Sequence, residues 1–211
     1  MLIYCLILIL FKGKYLKVKN NNYKIIIIFI LFFSLIYFYL SEQEISFFNS
    51  SQNFIFNSIR NKKFNIEASQ NHFQIKELKG KIIFLKVFGL DCKYCKKEIP
   101  ELIKLKNKFR TAFDIIAIES QHHSNQENIN FIEKNNINYN IINGDIEKNF
   151  LDYLKQKYKW DGTIPMTIVI STDGKILAFE VGHKSYSLTK LLQTTLELIT
   201  KEAIPRDKGE N

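Results

Sequence analysis

Cysteine is scarce in this chain: only Cys5, Cys92 and Cys95 occur among 211 residues. There is one C-x-x-C and no second, which excludes a zinc site built from two such pairs and favours a redox pair over half a metal site. Acidic residues are absent around Lys12, Lys14, Lys17, Lys19 and Lys24, and much of the formal net charge of +9 gathers there. No basic-aromatic RNA motif or recognition-helix pattern accompanies that charge, so nucleic-acid binding is excluded as the function. Between Lys24 and Glu42 there is no charge of either sign. No small-x-small site follows that run, which argues against a cleaved signal peptide. No internal repeat is visible, and the abundance of Ile, Asn and Lys is a bias of the whole chain.

What is present suffices for one domain of ordinary size plus an anchor or tail: 46% of residues are hydrophobic and 24% charged. Residues 23–40, YKIIIIFILFFSLIYFYL, approach the length that spans hydrocarbon, with Tyr23, Tyr37 and Tyr39 suited to its interfaces. The upstream lysines keep residues 1–22 cytoplasmic and send 41–211 to the extracytoplasmic (periplasmic) side of a single-pass inner-membrane protein. The expected division is a cytoplasmic or interfacial segment 1–22, a transmembrane anchor 23–40, a linker 41–60, a globular domain 61–202 and a disordered tail 203–211. Residues 1–11 are apolar but too short to cross alone, and Cys5 reads there as a small hydrophobe. Phe47, Phe48, Phe54 and Phe56 leave open whether 41–60 tethers the domain or packs onto it.

Within the domain, Phe64 and Ile66, then Phe73 and Ile75, alternate with polar residues as a short hairpin. An apolar strand follows over 82–88, then a helix over 92–109 that carries Pro100 inside it, where a missing backbone bond predicts a kink. A strand runs from Phe113 to Ile118 and ends at Glu119. Ile129 and Ile132 predict a helix over 125–135. Ile137, Tyr139 and Ile141 alternate as a strand, and Asp145 is the expected cap of a helix that buries Phe150, Leu151 and Leu154. Strands over 166–170 and 176–181, joined by a turn at Asp173-Gly174, and a helix over 188–200 complete the domain. This order predicts an α/β fold: a central mixed sheet with helices on both faces.

The two cysteines sit where the apolar strand hands over to its helix, after a tight turn through Gly89 and Asp91. Three residues apart on a helix, they share a face and lie close enough for a disulfide after small adjustment. Cys92 is expected in the first turn, where unpaired N–H groups and the helix dipole favour its thiolate, the form that attacks disulfides. Cys95, one turn on, is placed to resolve a mixed disulfide. Lys93, Lys96 and Lys97 would lower the thiol pKa further, and Asp91 opposes them.

A strand, then C-x-x-C-K, then Pro100 five residues after the second cysteine resembles the thioredoxin superfamily. The Glu-Leu-Lys-Gly-Lys lead-in at 77–81 and Ile164-Pro165 before an apolar strand resemble its membrane-anchored TlpA/ResA branch, over about residues 60–201. The resemblance implies the three-layer thioredoxin-like fold with the cysteine strand central, and an extra segment within 125–158. It makes Cys92, Cys95 and Pro165 the working residues, with the Ile164 backbone docking an extended substrate segment beside Cys92. A cis Ile164–Pro165 bond would explain a proline at the head of an interior strand.

One departure stands out. Many thioredoxins carry a buried acid six residues before the first cysteine; here that residue is Lys86. A buried ammonium needs a partner or loses its proton. Two readings stay open: Glu119 on the neighbouring strand pairs with Lys86 and transfers protons, or Lys86 reaches the surface and Glu119 is a solvated loop residue. His122, His123 and His183 read as surface loop residues. With the cysteines they would suit copper, but copper-delivery relatives space their cysteines one residue wider.

The expectation is a bitopic thiol–disulfide oxidoreductase with no metal and no cofactor beyond the redox-active Cys92–Cys95 disulfide. Its catalytic residues would be Cys92, Cys95 and Glu119, its docking residues Ile164 and Pro165, and its pKa-tuning residues Lys86 and Lys93. The resemblance implies the reducing direction, protein partners such as apocytochrome c, and a membrane electron donor. A disulfide oxidant or isomerase, and a copper-binding chaperone of the same fold, are the alternatives.

Overall fold

In the computed structural model the described residues are 22–49, 51–69, 71–145 and 147–203. The N-terminal segment with Cys5, and the tail beyond Ala203, lie outside them. The chain divides into two units, Met1–Phe48 and Asn49–Asn211.

The first unit contributes helix α1, Asn22–Asn49, whose side chains are described over 27–41. Large apolar groups there are exposed on successive positions around the helix, from Ile28 and Phe29 through Tyr39 and Leu40. The hydroxyls of Ser34 and Ser41 donate back to the carbonyls of Leu31 and Phe38, each at 2.8 Å, so both serines are satisfied within the helix. Among the described residues, no helix is long and apolar enough to cross a membrane.

The second unit begins with β1 (Gln52–Asn57), β2 (Lys63–Ala68) and β3 (Phe73–Ile75), an antiparallel sheet in that order. The expected hairpin is its β2–β3 pair, with Ile66 opposite Ile75. Strand β1 lies in the stretch for which tether and packing both stood open. Its inward Phe56 is fully buried, and the Phe54 and Phe56 rings stand 5.0 and 4.9 Å from Phe150, edge to face.

A single 3-10 turn, Lys76–Leu78, leads into β4 (Ile82–Phe88), α2 (Lys93–Lys108), β5 (Phe113–Glu119), α3 (Asn125–Lys134), β6 (Asn140–Asn143), α4 (Lys148–Tyr158), β7 (Met166–Ile170), β8 (Ile176–Val181) and α5 (Leu188–Ala203). The sheet order is β6-β5-β4-β7-β8. Strands β4, β5 and β6 run parallel, and β7 and β8 join antiparallel. Strand β4 is therefore central, as expected, and all seven of its residues are buried. Side-chain alternation divides the core in two. Ile83, Leu85 and Val87 face the first three strands and Phe150 of α4; Ile82, Phe84 and Phe88 face α2 and α5. Helices thus cover both faces of a mixed sheet.

Two expected local features are corrected. Asp145 does not cap α4: the cap is Glu147, which makes no side-chain cap bond, and the Asp145 carboxylate bonds His122 instead. A capping box does form at α3, where the Ser124 hydroxyl accepts from Glu127 N and the Glu127 carboxylate accepts from Ser124 N. The strand expected from Ile137 onward begins only at Asn140. The Asn138 amide is drawn to α2, donating to Ile103 O at 3.3 Å and Asn107 Oδ1 at 3.0 Å.

Candidate active site

The end of β4 sets the position of the sulfurs. Beyond Phe88 the chain turns through Gly89, and Cys92 N donates back to Gly89 O at 3.3 Å. The Gln121 side chain lies on Gly89 so closely that a Cβ there would meet its Oε1 at 2.0 Å. That same oxygen accepts from Asp91 N at 2.8 Å. The turn is thus held from the loop after β5.

Cys92 is the N-cap of α2, one position earlier than the expected first turn. With the extended backbone of a cap (φ −73°, ψ 110°) its Sγ accepts from Cys95 N at 3.1 Å. A sulfur takes the place usually held by a Ser or Asp oxygen. Cys92 and Cys95 form a disulfide with Cα atoms 5.2 Å apart. Cys92 is half-buried and Cys95 is buried, so the two sulfurs are unequal in access. When the bond is reduced, the N–H that meets Cys92 Sγ stabilises its thiolate.

Ile164 and Pro165 lie at the head of β7, joined by a cis peptide bond. Met166 pairs with Val87, which brings the dipeptide alongside the segment that leaves β4. Ile164 packs against the apolar cluster containing Cys95, on which Cys92 also packs. The loop is held by Trp160 Nε1 donating to Thr163 O at 2.8 Å and Thr163 N to Asp161 Oδ1 at 2.9 Å.

The structure gives Lys86 a different partner from either reading. Its ammonium is buried, 2.9 Å from Glu98 Oε2 on α2, and donates to Thr167 Oγ1 on β7. Burial pushes the Lys86 pKa down, and the Glu98 carboxylate works to raise it. Lys86 shares its face with Phe84 and Phe88 and so points at α2. Glu98 follows Cys95 by one helical turn, on the same side of the helix.

Glu119 is also buried, but its carboxylate accepts from Gln121 N at 2.7 Å, His123 N at 3.2 Å and His123 Nδ1 at 3.1 Å. The Lys86–Glu119 pair is therefore not formed: three donors of the following loop occupy the carboxylate. Nor is His123 a plain surface residue. Its Nε2 lies 3.2 Å from Asp91 Oδ2, so the ring links the buried acid to the residue before Cys92. The bond to Glu119 raises the His123 pKa, burial lowers it, and Asp91 adds to the rise.

Lys93, Tyr94, Lys96 and Lys97 are exposed around the disulfide. Tyr94 stacks on His183 with centroids 4.6 Å apart, and Lys97 Nζ stands 5.4 Å from the Tyr94 ring centre. Among the described residues no group of three His, Cys, Asp or Glu side chains is gathered to hold a metal ion.

A sequence model of the AhpC/TSA family matches residues 59–179. The thiol-disulfide oxidoreductase ResA of Bacillus thuringiensis (strain Al Hakam) is 24% identical over 149 residues, 70% of this chain and 77% of its own. ResA of Bacillus cereus (strain ATCC 10987 / NRS 248) is 26% identical over 177 residues, 79% of this chain and 92% of its own. Among solved structures, the thioredoxin domain of a Bacteroides vulgatus thiol-disulfide oxidoreductase superposes with a TM-score of 0.53 at 20% identity, covering 72% of this chain and 96% of that domain. StoA from Bacillus subtilis gives 0.50 at 18% identity, over 69% and 96%. At such identities the structural likeness speaks for the fold, which is thioredoxin-like.

Two outcomes follow from the buried charges. Glu98→Gln leaves the Lys86 ammonium uncompensated and is expected to cost about 3 kcal/mol in urea unfolding, with much of that regained in Lys86→Met/Glu98→Gln. A raised His123 pKa means the protonated ring stabilises the fold fully below the ordinary value of 6.5 and loses that contribution as pH rises through the higher folded value. The stability gap between the natural protein and His123→Gln should therefore be widest in mild acid and close on the alkaline side.

Proposed function

This chain belongs to the AhpC/TSA family, and from that premise we propose that it is a membrane-anchored thiol–disulfide oxidoreductase that reduces disulfides in a narrow set of extracytoplasmic proteins. The observation that carries the reading is an accessible sulfur at a helix N-cap with a buried sulfur behind it in a disulfide. In the reduced state the Cys92 thiolate attacks a substrate disulfide, forming the mixed disulfide and expelling one substrate sulfur as a thiolate, which takes up a proton from solvent. The Cys95 thiol then loses its proton and attacks Cys92 Sγ of the mixed disulfide. The Cys92–Cys95 bond forms and the second substrate thiol departs protonated. Two electrons and two protons have passed to the substrate.

Ile164 and Pro165 are proposed to dock the substrate segment, and Lys93 to favour the Cys92 thiolate by its charge. Glu98 is better situated than Glu119 to take the Cys95 proton, because it follows Cys95 by one turn while Glu119 is held by its own loop. Lys86, the pKa-tuning residue of the expectation, holds that carboxylate in place through their ion pair. The oxidised pair then needs re-reduction by a membrane electron donor. Apocytochrome c is the substrate suggested by resemblance to the TlpA/ResA branch.

The anchor is proposed over residues 23–40, a stretch that begins before the described side chains (27–41), which alone are too few to form a span. In its support, the helical backbone is continuous over Asn22–Asn49, the described side chains carry no charge, and large apolar groups are exposed at most of their positions. An uncharged helix with so much exposed apolar surface needs an apolar environment. With lysines upstream, the positive-inside rule directs the catalytic unit outward.

In cells, Cys95→Ser is expected to accumulate mixed disulfides through Cys92, which diagonal electrophoresis would display; their absence, with sulfurs inert to dithiothreitol and oxidised glutathione, would sink the reading. With purified reduced protein, Glu98→Gln should shift the pH dependence of the Cys95 step, and an unaltered profile removes Glu98 from it. A membrane-impermeant maleimide should label reduced Cys92 in intact spheroplasts, within the membrane fraction; labelling only after lysis reverses the proposed orientation.

A further inference from the structure

The charges around the disulfide are unequally satisfied. The acids near the start of α2 each have a partner within the chain. Asp91 faces His123 at 3.2 Å, Glu98 is paired with Lys86 at 2.9 Å, and Glu180 meets Lys184 at 3.1 Å. Glu101 accepts from the N–H groups of Leu188 and Thr189 at 3.1 and 2.8 Å. Lys93, Lys96 and Lys97 are exposed, and among the described residues no ion pair engages any of them.

Nor does the helix itself favour the charge of Lys93 where it stands. Lys93 is the first residue of α2, and the first turn contains no acid. A cation at a helix N-terminus opposes the macrodipole, where an acid would be favoured. Lys93 and Lys96 lie three apart and Lys93 and Lys97 four apart, so they crowd like charge onto the exposed side of the helix. Lys97 reaches over Tyr94, itself stacked on His183. Beside the accessible sulfur there is thus a flat aromatic platform bordered by positive charge that no ion pair engages among the described residues.

We infer that this surface docks an acidic polypeptide segment, with carboxylates of the partner supplying the counter-charges that Lys93, Lys96 and Lys97 lack. The inference rests on the exchange function proposed above and specifies its substrate class. Charge at the rim of such a contact acts chiefly on the association rate and is screened by salt. In the exchange itself the reduced Cys92–Cys95 pair is oxidised to its disulfide while the peptide disulfide is reduced to two thiols.

The test uses the reduced full chain in a neutral detergent and peptides with the same intramolecular disulfide, flanked by glutamates, serines or lysines. The glutamate peptide is expected to be reduced about tenfold faster than the lysine peptide at low ionic strength, converging toward equal rates in about 0.5 M salt. Lys96→Glu/Lys97→Glu should reverse the order of the glutamate and lysine peptides, each rate being divided by that of the serine peptide on the same variant so that any change in the reactivity of the cysteines themselves cancels. Equal rates at low salt, or a preference for the lysine peptide, overturn the inference and leave the exchange function standing. Failure to reduce any peptide overturns both.

Discussion

A helix cannot begin without leaving N–H groups in want of acceptors, and in this chain the acceptor at the start of α2 is a sulfur. The bond from Cys95 N to Cys92 Sγ ties backbone geometry to chemistry. It fixes Cys92 at the boundary of the helix, partly open to solvent, and places Cys95 inside. Everything around it serves that arrangement: a central, fully buried strand delivers the chain, Gln121 fills the space over Gly89, and β7 brings Ile164 against the same cluster. The asymmetry between an attacking and a resolving sulfur is thus a consequence of how a strand becomes a helix.

The second organising element is the handling of buried charge. Lys86 and Glu119 stand on adjacent strands yet answer to different neighbours. The ammonium is met by a carboxylate and a hydroxyl from the elements that cover it, and the carboxylate by N–H donors of its own loop. Both charges are compensated within the chain, in accord with the cost of leaving an ion buried alone. The buried charges of the sheet beneath the disulfide are accordingly matched, whereas among the described residues no ion pair engages the exposed Lys93, Lys96 and Lys97.

Much of this was legible in residue patterns. Apolar runs and alternation located β2 to β5, β7 and β8, and the strand-to-helix transition marked the cysteines. What escaped is informative. Period-two alternation tells which face Lys86 occupies but not which residue of a crossing helix meets it, so Glu98 was missed. Its spacing of three from Cys95 was the available signal. Ser124-x-x-Glu127 is a readable cap, whereas Asp145 satisfied only a composition rule. Strand β1 is not legible in QNFIFN alone, because its inward side is defined by Phe54 and Phe56 facing Phe150 across the fold.

The contact between Gly89 and Gln121 reaches beyond the site it supports. Because no Cβ fits at position 89 unless the side chain at 121 withdraws, the two positions form one module across separate strands. A redesign that borrowed only the contiguous cysteine segment for another scaffold would carry half of that module. The recipient would have to furnish its own amide at the equivalent of 121, or the borrowed turn would lose the wall against which it is shaped.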